Sequence, residues 1–136
     1  MLIASLVINF GLVVLIWIIQ LIIYPTFYQV ETARFVRWHM WYTTRISFIV
    51  VPLMVSQVMA FGWLLIKNGP LPVLVAQTVL VCLVWALTFF VSVPCHNALS
   101  VKKDDLQIAR LVSTNWLRTA AWSLVAVLDW NSIVGS

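Results

Sequence analysis

The stretch LIASLVINFGLVVLIWIIQLIIY, residues 2–24, contains no charged side chain and has Ser5, Asn9 and Gln20 scattered along an otherwise apolar run. It meets the ~20 largely apolar residues that a helix needs to cross the hydrocarbon of a bilayer. Three further runs, residues 46–66, 71–93 and 111–128, share that character. Together they predict an all-α integral membrane protein: one domain, residues 1–136, folded as an antiparallel bundle of four transmembrane helices. The composition agrees, since 63% hydrophobic and 9% charged residues exclude a soluble globular domain. No lysine or arginine precedes the first run and no small-residue cleavage site follows it, so it reads as a retained helix rather than a secretory signal.

Local chemistry sets the expected boundaries. Pro25 is expected to close the first run, with the polar residues 29–34 as first connection and Thr32 as N-cap of the second helix. Lys67-Asn68-Gly69-Pro70 reads as a tight turn, with Pro70 and Pro72 suited to a helix start. Pro94 is expected to end or bend the third helix. Residues 100–105 form the last loop, where Asp104 and Gln107 have capping-box spacing.

Basic residues then orient the bundle. Arg34, Arg37, Lys102, Lys103 and Arg110 flank one end, and Lys67 alone marks the other. The positive-inside rule places the first and third loops in the cytoplasm and both termini outside, in an inner or plasma membrane. The net charge of +4 follows from these flanks. It matches anionic membrane lipid, and no module for nucleic acid is present. Trp38, Trp41 and Tyr42 are placed in an aromatic belt at the basic end. Cys82 and Cys95 share one helix, ~20 Å apart by helical rise, too far to bridge. Without a CxxC pair, a membrane disulfide oxidoreductase resembling the vitamin K epoxide reductases is disfavoured.

The topology gathers polar residues from all four helices at the basic end. Helix one supplies Gln20 and Tyr24; helix two His39, Tyr42 and Arg45 or Ile46; helix three Trp85, Thr88, Ser92, Cys95 and His96, with Asn97 next to them; helix four Asn115, Arg118, Thr119 and Trp122. Asn9, Ser56, Gln57, Gln77 and Asp129 lie in the opposite half, without an obvious common centre. Arg118 stands out, because an isolated guanidinium inside an apolar run is costly and no acidic residue is within reach on its helix. Paired with Asn and His donors in an apolar pocket, it suits an anionic or enolate-like oxygen of a lipophilic small molecule. Structural readings stand beside this one: His39 lying above the hydrocarbon, Arg45 snorkelling to phosphate, His96 and Asn97 satisfying backbone groups freed by Pro94, and Cys95 as packing.

Val93-Pro94-Cys95-His96-Asn97-Ala98-Leu99, with Asn115-Trp116-Leu117-Arg118-Thr119 further on, resembles the paired motif of the anthrone-oxygenase-like family of small four-helix membrane proteins. That family has a Val-Pro-x-Asn-x-x-Leu segment ending helix three and Asn-x-x-Arg-Thr in helix four. The chain departs from it with His96 at the first Asn position and Thr114 where a Trp often precedes the second Asn. The resemblance implies oxygenation of an anthrone-like polyketide to a quinone without metal or flavin. His96 or His39 would then act as base, while Arg118 and Asn115 stabilise the enolate. Gln20, Tyr24, Tyr42, Arg45, Trp85, Ser92, Asn97, Thr119 and Trp122 would contact substrate.

Two other classes compete. The same pocket could bind or pass a lipid, quinone or small solute, with or without oligomerisation. Small multidrug transporters have a similar size and helix count, but helix one here lacks their acidic residue, and no intramembrane carboxylate is evident for proton coupling. Copper or iron is the metal-dependent alternative; His39 and His96 are far apart in sequence, and no HxxxH, ExxH or CxxC spacing supports a ligand set.

Overall fold

The computed structural model describes residues 2–135. They form four long helices: α1 Leu2–Gln29, α2 Thr32–Asn68, α3 Pro72–Leu99 and α4 Asp105–Val134. No strand occurs among the described residues. The first three helices are long and apolar enough to cross a membrane. Neighbours run antiparallel: Ser5 of α1 meets Asp129 of α4 while Gln20 meets Val112, and Gln77 of α3 meets Asp129 while Ser92 meets Arg118. Helix α4 packs most extensively, against α1 and α3, whereas α2 and α3 touch far less.

Pro25 does not close the first helix, and Pro94 does not end the third. In both cases the chain widens into a π-turn, Ile19–Ile23 and Thr88–Ser92, and continues as α-helix through the proline. The reason is steric. A proline ring crowds the carbonyl four residues earlier and offers no N–H to it. Those carbonyls belong to Leu21 and Phe90, inside the π-turns, where bonding shifts to the wider i→i+5 pattern: Tyr24 N–H reaches Ile19 O and Val93 N–H reaches Thr88 O.

The connections are shorter than expected. The first is only residues 30–31; Glu31 occupies the N-cap position expected of Thr32, which is already helical. Lys103 substitutes for missing caps at the end of α1, donating to the carbonyls of Tyr28 (3.0 Å) and Val30 (2.8 Å). The second turn depends on Gly69, at φ 72°, where a side chain would be strained. The third ends at Asp104, whose carboxylate accepts from the N–H groups of Leu106 (3.0 Å) and Gln107 (3.4 Å).

Apolar residues coat the outside as well as the inside. Val7 and Val14, Phe48 and Met59, Val79 and Phe90, and Leu117 and Val127 are all exposed, two on each helix. At the basic end Phe27 is fully buried and its ring lies edge-on to Phe35, Trp38, His39 and Tyr42. Tyr42 therefore belongs to the interior rather than to an aromatic belt, and Trp38 stacks on it at 5.8 Å. Trp41 alone of the three stays on the surface, beneath Arg45 at 4.9 Å.

Phe27→Ala is expected to cost about 3–5 kcal/mol through the cavity it leaves. In detergent it should lower the thermal midpoint while helical circular dichroism at low temperature stays unchanged.

Candidate functional site

A cavity of about 350 Å³ lies between α2, α3 and α4 toward the basic end, with Tyr24 of α1 in its wall. Most of its lining is aliphatic or aromatic: Ile46, Val50 and Met54 from α2, and Trp85, Phe89 and Val93 from α3. Val51, Phe89 and Val93 are themselves exposed, so the cavity reaches the side of the bundle where α2 and α3 are least packed. The polar lining comes from Tyr24, Tyr42, Thr43, Ser47, Thr88, Ser92, His96, Asn97, Ser100 and Arg118.

Arg118 is 6% exposed and has no ion-pair partner among the described residues. Its Nη1 donates to Asn115 Oδ1 at 3.1 Å and to Ser92 Oγ at 3.3 Å. The guanidinium also sits over the Trp122 ring at 5.2 Å. The π-turn of α3 contributes Ser92, its last residue. Behind Arg118, Asn115 Nδ2 donates to Gln20 Oε1 (2.8 Å), and Gln20 Nε2 donates to the Val112 carbonyl (3.2 Å). The chain has one direction only. A guanidinium can only donate and a carbonyl can only accept, so both amides between them are oriented by their ends.

Two N–H groups in this region have no partner: Arg118 Nε and Trp85 Nε1, both buried and both on residues of the cavity wall. A buried donor left unpaired costs ~1–3 kcal/mol.

The histidines, distant in sequence, meet here. His39 Nε2 and His96 Nδ1 are 2.9 Å apart, His96 Nε2 is 3.3 Å from the Tyr24 hydroxyl, and Ser100 Oγ is 3.4 Å from His39 Nδ1. Each neutral imidazole donates from one nitrogen and accepts at the other, so this row can be polarised either way. Both ends of the row, Tyr24 and Ser100, line the cavity. His39 is 0% exposed, stacked on Phe35 at 5.6 Å, and lies well inside the bundle. The described residues bring no third His, Cys, Asp or Glu to the pair, so a metal would find two imidazoles at most.

The expected site residues thus divide. Tyr24, Tyr42, Trp85, Ser92, His96, Asn97 and Arg118 line the cavity. His39, Asn115, Gln20 and Trp122 stand behind it, each bonded to or stacked on a lining residue or its support. Thr119 turns its hydroxyl back to the Asn115 carbonyl at 2.9 Å. Arg45 is exposed, over the Trp41 ring, and does not line the cavity. Thr88 lines it too, and Thr43, Ser47 and Ser100 join the lining without having been singled out from the sequence. Ser100 was accessible to sequence reasoning, one helical turn beyond His96.

The opposite half does have a centre. Asp129 accepts from Ser5 Oγ (3.2 Å), Asn9 Nδ2 and Gln77 Nε2 (2.7 Å). Gln57 Nε2 donates to Asn9 Oδ1 at 2.6 Å, and Trp122 Nε1 donates to Gln57 Oε1 at 3.2 Å. A second one-way chain therefore runs from the indole beneath Arg118 to a carboxylate. The residues looked scattered because they come from four helices, and only their packing brings them together.

Comparison with protein-family models, with curated proteins and with solved structures finds no match for this chain.

Trp122→Phe should cost about 1–3 kcal/mol by stranding Gln57 Oε1. Gln57→Leu in the same chain should then cost less than it does alone, a non-additivity that a double-mutant cycle of thermal unfolding would read.

Proposed function

We infer that this chain is an integral membrane protein whose cavity takes a lipophilic aromatic enol or phenol from the bilayer and oxygenates it without a cofactor. The inverted distribution of the chain supports the membrane: large apolar side chains cover the outside, while Asn9, Gln20, Gln57, Gln77, Asn115, Arg118 and Asp129 are buried. Four transmembrane helices, with the basic end in the cytoplasm, follow from the same reading. The lateral reach of the cavity between α2 and α3 suits a ligand arriving from the lipid phase.

The observation that carries the chemistry is the buried Arg118 guanidinium in the wall of the cavity, without an ion-pair partner among the described residues, beside the His96–Tyr24 row. Donors aimed where negative charge develops stabilise an oxyanion. On an anthrone-like substrate, the acidic C–H proton passes to Tyr24 oxygen as the Tyr24 proton moves to His96 Nε2, and His39 shares the charge across its 2.9 Å contact. The enolate oxygen is held by the Arg118 guanidinium. The electron-rich carbon then reduces O₂: a C–O bond forms, the peroxide takes the proton back, and loss of water leaves a carbonyl. A CH₂ group and O₂ become C=O and H₂O, with the substrate as the source of electrons.

Purified protein in mild detergent should shift 1,8-dihydroxyanthrone to its coloured enolate under anaerobic conditions and consume O₂ when air is admitted. Arg118→Met should lower turnover by about 10²–10³ and His96→Ala by about 10²–10⁴, with circular dichroism unchanged. Wild-type turnover in both variants would falsify the assignment. An unchanged lipid or quinone that copurifies, without O₂ uptake, would make the cavity a binding site only, whereas activity proportional to bound copper or iron would replace the cofactor-free route.

A further inference from the structure

His39 and His96 are the two histidines of the chain, and they stand in the middle of a row that begins at the Tyr24 hydroxyl and finishes at Ser100 Oγ. Taken alone, the rings allow either polarity, since the tautomer of each is set by the bond its other nitrogen makes. The groups at the two ends remove that freedom.

At one end the Ser100 hydroxyl donates to the His96 carbonyl at 2.9 Å, one helical turn back. Its single proton is used there. Toward His39 Nδ1, 3.4 Å away, the same oxygen can then only accept. His39 must carry its proton on Nδ1 and leave Nε2 bare. The bare Nε2 lies 2.9 Å from His96 Nδ1, which must therefore be protonated, and His96 Nε2 is bare in turn. At the other end, His96 Nε2 is the acceptor that the described residues offer the Tyr24 hydroxyl, at 3.3 Å. Arg118 also acts on that hydroxyl, but a guanidinium has no lone pair to give. Both ends thus demand one direction: Tyr24 donates to His96, His96 to His39, His39 to Ser100, and Ser100 to the His96 carbonyl.

The direction matters to the cavity that Tyr24 and Arg118 line. Reversed, the row would bring His96 Nε2–H to the Tyr24 oxygen and send the Tyr24 proton into the cavity. As the ends require it, the cavity meets a Tyr24 oxygen backed by a bare imidazole nitrogen that can take its proton. We propose that Ser100 is a positioning residue, which fixes both imidazoles as Nδ1–H and so presents the cavity with an acceptor at Tyr24 beside the donor Arg118. The matching ligand pairs an acidic proton with an oxygen that takes up the charge, as phenols and enolisable ketones do. The use of this polarity in catalysis rests on the function proposed above, whereas the tautomers themselves do not.

Histidine labelled with ¹⁵N in the ring reports these two side chains alone. In nanodiscs without added ligand, at about pH 8 and so above the ordinary imidazole pKa, magnetic resonance should show both rings with a protonated Nδ1 and a bare Nε2. Ser100→Ala should convert both to Nε2–H, since one ring turning alone would set donor against donor across the 2.9 Å contact. Ser100→Thr, which keeps a hydroxyl for the His96 carbonyl, should restore Nδ1–H. Ser132→Ala removes the same kind of bond, to the Leu128 carbonyl, outside the row and should change neither ring. An Nε2–H ring in the unmutated chain overturns the proposal, and that spectrum needs no variant to fold. So does a Ser100→Ala protein that keeps both rings as Nδ1–H. No turnover is measured, so the tautomers can fail while O₂ uptake succeeds, or hold while it fails.

Discussion

A guanidinium has five donors and no acceptor, and two polar rows of this bundle start beside the one inside. Arg118 cannot turn to accept, so acceptors must be brought to it. Asn115 and Ser92 are brought within 3.1 and 3.3 Å. Each amide enlisted in this way exposes a donor of its own, which needs an acceptor further on. The series Asn115, Gln20, Val112 ends only at a backbone carbonyl. The indole of Trp122, stacked under Arg118, starts a similar series through Gln57 and Asn9 that ends at Asp129. Buried polar groups without partners are expensive, so these rows reach through the bundle until a pure acceptor closes them.

The backbone is adapted to the same constraint. Two prolines that would break helices in water are absorbed by π-turns at equivalent offsets in α1 and α3. Gln20 lies in the first π-turn and Ser92 ends the second, so the irregular backbone supplies partners on both sides of α4. Such insertions are frequent at functional sites because a widened turn redirects side chains that a regular helix would aim elsewhere. The cavity opens beside the second one. Its unpaired Arg118 Nε and Trp85 Nε1 are the places where the protein leaves its own hydrogen bonding unfinished.

How far the sequence could be read varied with the range of the interactions. Helix number and approximate spans were legible, since an apolar run of sufficient length has little alternative to helix. Boundaries at Pro25, Thr32 and Pro94 were not, because neighbouring helices and a π-turn override a local breaking preference. Arg118, His96, Ser92 and Tyr24 were legible as a group from helical spacing and topology. Of Arg45 and Ile46 it is Ile46 that lines the cavity, a choice that spacing along one helix does not make because it does not say which way the face turns. Tyr42 fitted an interfacial belt equally well by sequence, and it is buried only because Phe27 and Trp38 pack on it.

By itself the sequence determined an all-helical chain with apolar runs, short turns, a basic end and a charge that demands partners, because these depend on composition and on periodicity within one segment. The tertiary structure decided who those partners are. Hydrogen bonds between side chains as distant as Asn9 and Asp129, or His39 and His96, depend on relative helix rotation and depth, which no single segment encodes. Rotation and depth are set by packing all four helices at once, and that packing turned five apparently scattered polar residues, Ser56 excepted, into a centre around Asp129.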